Sequence, residues 1–217
     1  MDLGGNGFYW KVALNEHYPG MIEIRRAEGG IRTWASEPGE YYNSFDGEYG
    51  GLWLRNGRPP QKLCGVGFTG QGDFQGTYYR RKYNFDEKYA WVFEGVDDEI
   101  LGDFGLSGGG AAGFELDRAD FSLGTPLNVA VLASSETYPD HFVLVPEEML
   151  THLSTRTGEP ASELIRSDIV IFETPKGGYV FSVGSISYCG SLPWNNFDNN
   201  ISKITENVLT RFLSNWK

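Results

Sequence analysis

The string Leu3-Gly4-Gly5-Asn6-Gly7-Phe8-Tyr9-Trp10 sets three glycines and an asparagine in four consecutive positions. Glycine lets a backbone turn through positive φ or come close against another group. A turn of this kind normally follows a strand, and only Met1, Asp2 and Leu3 stand before it. The string therefore predicts a domain joined part-way, with a site that draws on residues the chain does not carry.

At 217 residues, 40% hydrophobic and 22% charged, the composition is that of a globular domain rather than a disordered chain. The 29 glycines and 15% aromatic content predict many turns and strands with aromatic packing between them. Eighteen basic against 29 acidic residues give a formal charge of −11. Such a chain repels phosphate backbones and anionic membranes, which argues against both as partners. No apolar run approaches the roughly 20 residues of a membrane span, and no signal-peptide pattern is seen. A cytoplasmic protein is expected. Cys64 and Cys189 are read as two buried thiols rather than a disulfide.

Along the chain, Met21–Arg25 alternates as a half-buried strand does. Residues 28–88 read as a β-rich excursion of aromatic loops, with Leu63–Phe68 its one short strand. Ala90–Phe93 reads as a strand ending at Glu94. Gly108-Gly109-Gly110 marks a tight turn, and Ala112–Arg118 a strand with acids at alternate positions. Asn128–Ala133 is apolar on both faces, as a central strand is. Ile169–Phe172 and Tyr179–Val183 predict a hairpin across Pro175–Gly178. Ile201, Ile204, Val208 and Phe212 fall at helical spacing behind Asp198 or Asn199 as N-cap, predicting an amphipathic helix over 199–214. No linker or repeat divides the chain, so 1–217 is one domain.

Common catalytic signatures are missing: no GxSxG, HExxH, CxxC or P-loop. His17, His141 and His152 are scattered, and His152 falls in a predicted helix over Pro146–Ser154. The chemistry is left to carboxylates, tyrosines and loop polar groups. Glu94 and Asp103 sit beside glycines in turns. Glu115 and Asp117 lie two apart on one strand, so they share a face. The plain reading of each is a solvated or paired acid, with Arg118, Arg80 and Arg81 as partners for Glu115 and Asp117. The sharper reading is a carboxylate that binds a metal or moves a proton. Tyr9 comes directly after a predicted strand-to-helix turn, where ligands collect in open α/β folds. Its plain reading is packing beside Phe8 and Trp10. Ser135 ends the central strand, with His141 six residues on.

These strings resemble the C-terminal catalytic region of the large (beta) subunit of the N,N-dimethylformamidase family. The resemblance rests on Leu3–Trp10, Gly57–Gln61, Gly65–Phe68, Trp91–Val96 and Gly113–Arg118. It continues through Gly124–Pro126, Val131–Glu136, Gly184–Pro193 and Asp198–Val208, nearly the whole chain. It implies an α/β domain, a glutamine-amidotransferase-like open sheet without its first half, with a C-terminal amphipathic helix. It also implies a mononuclear iron held by two tyrosines and a glutamate. Tyr9 is carried over as one tyrosine ligand; the other lies upstream. Glu115 is carried over as the carboxylate, with Glu94 as its rival. The activity implied is hydrolysis of a small N-substituted formamide or related amide, the iron polarising the carbonyl or activating a water. Glu94, Asp117 or His141 would move the proton.

Two further readings stand beside this one. The first is a remnant that keeps the fold for binding or assembly without catalysis. The second is a carbohydrate-binding module, suggested by the aromatic loops. An open sheet lacking its leading strands exposes an edge that seeks a partner, so a homo-oligomer or a companion subunit is expected.

Overall fold

The computed structural model describes residues 1–26, 37, 39–146 and 161–214. His152 and most of its predicted helix lie outside these, as does part of the aromatic excursion. The described fold mixes helices with three open sheets. Strands β1 (Val12–Leu14) and β2 (Ile22–Ile24) form a small antiparallel hairpin. After a helical turn α1 (Gln61–Cys64) comes the long β3 (Gly67–Thr77), then β4 (Tyr79–Arg81). Next in the chain are β5 (Ile100–Leu101), β6 (Ala112–Arg118), β7 (Ala130–Ser135) and β8 (Val143–Leu144). A second helical turn, α2 (Ala161–Leu164), leads to β9 (Asp168–Glu173) and β10 (Tyr179–Ser182). The helical turn α3 (Tyr188–Ser191) and the long helix α4 (Asn200–Ser214) end the described chain.

The main sheet runs β10-β9-β7-β4-β5, and a second sheet runs β6-β3-β8. Each pairing between these strands is antiparallel. β7 is central, as its two-sided apolar character predicts, and β9 and β10 form the predicted hairpin. Both faces of the main sheet are covered. On one, Leu132, Ile169, Ile171 and Phe181 pack with Ile201, Ile204 and Val208 of α4. On the other, Val170 packs with Cys64, Val66 and Ala119. α4 begins where the sequence places it, with the Asn199 side chain accepting from the Ser202 amide at 2.9 Å.

Several sequence expectations are corrected. Residues 69–88 are loop only over 82–86, because β3 fills Gly67–Thr77 and β4 follows it. The glycines of β3 hid it: a Cβ on Gly72 would sit 2.6 Å from the Phe142 ring, and one on Gly76 would sit 2.4 Å from the Gly110 carbonyl. Glycine erases the alternation that marks a strand while making this close packing possible. Leu63 and Cys64 belong to α1 rather than to a strand. Ala90–Phe93 lies in a 3-10 helix, Glu87–Phe93, started by the Asp86 side chain accepting from the Lys88 amide at 3.0 Å. Three-residue periodicity turns Tyr89 and Val92 to the same side, and both are buried in the core with α4. The excursion is also tied down: Lys11, fully buried, reaches Asp46 at 2.6 Å and Glu48 at 3.2 Å. Cys64 is buried as expected, but Cys189 is exposed, and both thiols are free.

Ile204 is 1% exposed and Leu213 65% exposed on the same helix. Ile204→Ala is expected to lower unfolding free energy by about 2–5 kcal/mol through lost burial and a residual cavity. Leu213→Ala should change it by less than about 0.5 kcal/mol. Urea denaturation of the two variants checks the contrast, and equal losses would contradict this packing.

Candidate functional site

The Gly-rich turn is pinned at its start by strand pairing. Asp2 makes a parallel bridge to Ser182, its amide donating to the Phe181 carbonyl at 2.8 Å and its carbonyl accepting from the Val183 amide at 3.1 Å. The chain then turns sharply, with Asn6 at φ 61° and Phe8 at φ 53°. Gly5 lies so close to the second sheet that a Cβ there would stand 3.0 Å from the Glu115 carbonyl oxygen. The turn leads into a strand rather than the expected helix: Trp10 bridges to Leu52 and the chain runs into β1.

Two carboxylates of β6 grip this turn. The Asn6 amide donates to Asp117 Oδ1 at 2.8 Å, and Asn6 Nδ2 donates to Glu115 Oε1 at 3.0 Å. The Gly7 amide also serves the Asp117 carboxyl. That Glu115 and Asp117 share a face is confirmed by their common partner. The arginines expected beside them are engaged elsewhere. Arg118 pairs with Asp120 at 2.8 Å, Arg80 with Glu136 at 2.6 Å, and Arg81 donates to the Val96 carbonyl at 2.7 Å.

Asp117 is 1% exposed. Burial pushes its carboxyl well above the usual aspartate range; the Asn6 and Gly7 amides pull the other way, and the charges of Asp2 and Glu115 add to the rise. Asp2, which faces Gly7, is also raised, by burial above all. The Cys64 thiol next to Asp2 is pushed up to about 12 by burial and by the charges of Asp2 and Asp117. This is an acidic cluster that favours bound protons. Tyr9 leaves the turn with its ring edge-on to Trp10 at 5.2 Å and to Phe68 at 5.3 Å. Phe68 is the register partner of Asp117, so Tyr9 stands beside the same strand pair.

The other nominated residues lie apart from this turn. Glu94 is exposed at the end of the 3-10 helix, its carbonyl accepting from Asn207 of α4 at 2.8 Å. Asp103 is exposed in a bend. His141 lies against the Phe142 ring, 4.0 Å from Asp73. It does not serve Ser135, whose hydroxyl accepts from Tyr138 at 2.8 Å and from the Ser167 amide at 2.7 Å. Two participants escaped sequence reasoning. Asn6 was legible as the residue among the glycines best suited to positive φ. Asp2 carried no signal, because its role depends on pairing with Ser182, at the other end of the chain.

Asp117 yields a pH prediction. A group raised on folding stabilises most below its unfolded value, about 3.9, and that contribution is lost as pH rises through the folded value. Asp117→Asn keeps an acceptor for Asn6 and has no proton to lose. It should melt above the parent at pH 8, with the advantage gone by about pH 4. Asp117→Ala should cost about 1–3 kcal/mol by stranding buried amides. Scanning calorimetry across pH checks both, and an Asn variant less stable at pH 8 than at pH 4 relative to the parent would contradict the sign.

Comparison with known proteins agrees with the resemblance. Residues 1–200 match the family model described as N,N-dimethylformamidase beta subunit-like, C-terminal. The N,N-dimethylformamidase beta subunit of Paracoccus aminophilus is 43% identical over 216 aligned residues, and that of Alcaligenes sp is 42% identical over the same length. Each alignment covers 98% of this chain and 28% of the relative, so the chain spans little more than a quarter of the length of these relatives. The chain belongs to the family of N,N-dimethylformamidase beta subunit-like C-terminal regions.

Proposed function

We propose that this chain is the C-terminal part of an amide hydrolase of dimethylformamidase type, which cleaves the C–N bond of a small N-substituted formamide and works with a companion subunit. The observation that carries the reading is 43% identity across 98% of the chain to a protein named as a dimethylformamidase beta subunit. A glutamine-amidotransferase-like sheet is proposed on the same footing. The parallel pairing of Asp2 with β10 supports it, since further parallel strands would extend the sheet there.

The residues present do not by themselves make the iron site that the resemblance implies. Of the two tyrosines and one glutamate it implies, the resemblance places Tyr9 and Glu115 in this chain, and Glu115 is engaged by Asn6. The polar reach of Glu115 and Asp117 is directed at Asn6 and Gly7. We therefore assign Glu115 and Asp117 to holding the turn, and Tyr9 to packing that turn against Phe68. In this reading the chain's contribution to catalysis is positioning: it fixes the course of the backbone from Asp2 to Trp10. Glu94 and His141, distant from the turn in their contacts, have no part in it.

The test is iron content and turnover of N,N-dimethylformamide in the complete enzyme. Tyr9→Phe and Glu115→Gln are expected to leave bound iron and its visible absorption unchanged. Glu115→Gln can still accept from Asn6 and should keep most activity. Loss of iron in either variant would return that residue to the metal. An intact enzyme without any amide hydrolysis would overturn the functional reading itself.

A further inference from the structure

Glu94 and Asp103, unused by the turn, point to a second region. They immediately precede Gly95 and Phe104, which help to line an open groove of about 1360 Å3 between the 3-10 turn Trp194–Phe197 and one side of α4. Three successive residues of that turn hold left-handed backbone: Asn195 at φ 50°, Asn196 at 55° and Phe197 at 68°. Asparagine tolerates this conformation; phenylalanine has no local reason to adopt it. The geometry is locked by polar contacts. Asn195 Nδ2 donates to the Asp198 carbonyl at 3.0 Å, and Asn199 Nδ2 donates to the carbonyls of Leu192 at 3.1 Å and Trp194 at 2.7 Å.

What this turn achieves is exposure. Phe197 is 64% exposed, and Trp194, 41% exposed, stacks on Phe104 at 5.9 Å. Leu106 and Leu209 are also open to solvent. A folded chain gains nothing from displaying these groups, whereas an interface uses such aromatic anchors. The charge around them is mostly negative. Asp98, Asp198 and Glu206 line the groove, and the one lysine among the described residues lining it, Lys203, is bonded to Glu206 at 2.9 Å. A second copy of this chain, also carrying −11, would bring more negative charge to the same place.

We propose that this groove docks a different polypeptide, whose contact segment sets apolar side chains between lysines or arginines. The proposal rests on the companion-subunit reading above and supplies its surface. The aromatic turn would give the binding energy, and the acidic rim would select a basic partner and speed encounter.

Hydrogen exchange of the full chain tests this with two helical peptides of equal length, one of leucine and lysine, the other of leucine and glutamate. The Leu/Lys peptide should protect residues 192–209, and added salt should weaken the effect. Phe197→Asp, a change at an exposed side chain, should reduce affinity about tenfold or more. Asp98→Lys with Glu206→Lys, both in the groove lining but outside the aromatic turn, should reduce it as well. Equal protection by both peptides, protection elsewhere, or indifference to both variants would overturn the groove. Protection of 192–209 by the chain alone at rising concentration would make a second copy the occupant and likewise overturn it. Turnover of N,N-dimethylformamide by the complete enzyme is read separately, so failure of the groove and failure of the hydrolase reading give different results.

Discussion

A carboxyl buried against backbone amides sets the form of the N-terminal turn. Asn6 points its N–H group at Asp117 and adds its side chain to Glu115. The glycine run is what allows it, since a Cβ at Gly5 would press on the backbone of β6. Because the turn is fixed, Asp2 on one side aligns with β10, and Tyr9 on the other meets Phe68. One acid thus couples the chain's first residues to both larger sheets.

The same acid explains a division in the molecule's electrostatics. Away from the turn, carboxylates such as Glu136 and Glu23 have arginine partners. At the turn, Asp2, Asp117 and Glu115 cluster with the Cys64 thiol, and the donors that reach these carboxyls are chiefly backbone amides and one side-chain amide. Burial favours the protonated forms of Asp2 and Asp117, which suits a structural clasp. A clasp of this kind gives this region a fixed backbone course from Asp2 to Trp10.

Three strands of the main sheet and its helix were clear in the sequence, whereas β4 and β5 were not. β7, β9, β10 and α4 show uninterrupted apolar patterns, and their periods decide their type. β3 was hidden, because Gly67, Gly70, Gly72 and Gly76 lack the side chains that make a strand legible, and their purpose appears only when Phe142 and Gly110 are in place. Trp91-Val92-Phe93 has strand-like composition, but Asp86 starts a 3-10 helix there and α4 supplies the burial. At the turn, the spacing of Glu115 and Asp117 predicted their shared face, and Tyr9 does stand nearby. What they hold was not legible: hydrogen bonds from Asn6 to residues of β6, far along the chain, leave no local pattern. The same is true of the arginines, which found Asp120 and Glu136 instead.

If the clasp is as described, Asp117 sits in the folded protein as a buried carboxyl that favours its proton. Carbon-13 NMR of aspartate carboxyl groups, with Asp117 assigned through Asp117→Asn, measures its protonation. The expected resonance remains in the protonated position as pH rises past the ordinary aspartate value of about 3.9 and titrates well above it. A resonance that moves to the ionised position at or below about 4 would show a plain carboxylate and contradict the clasp.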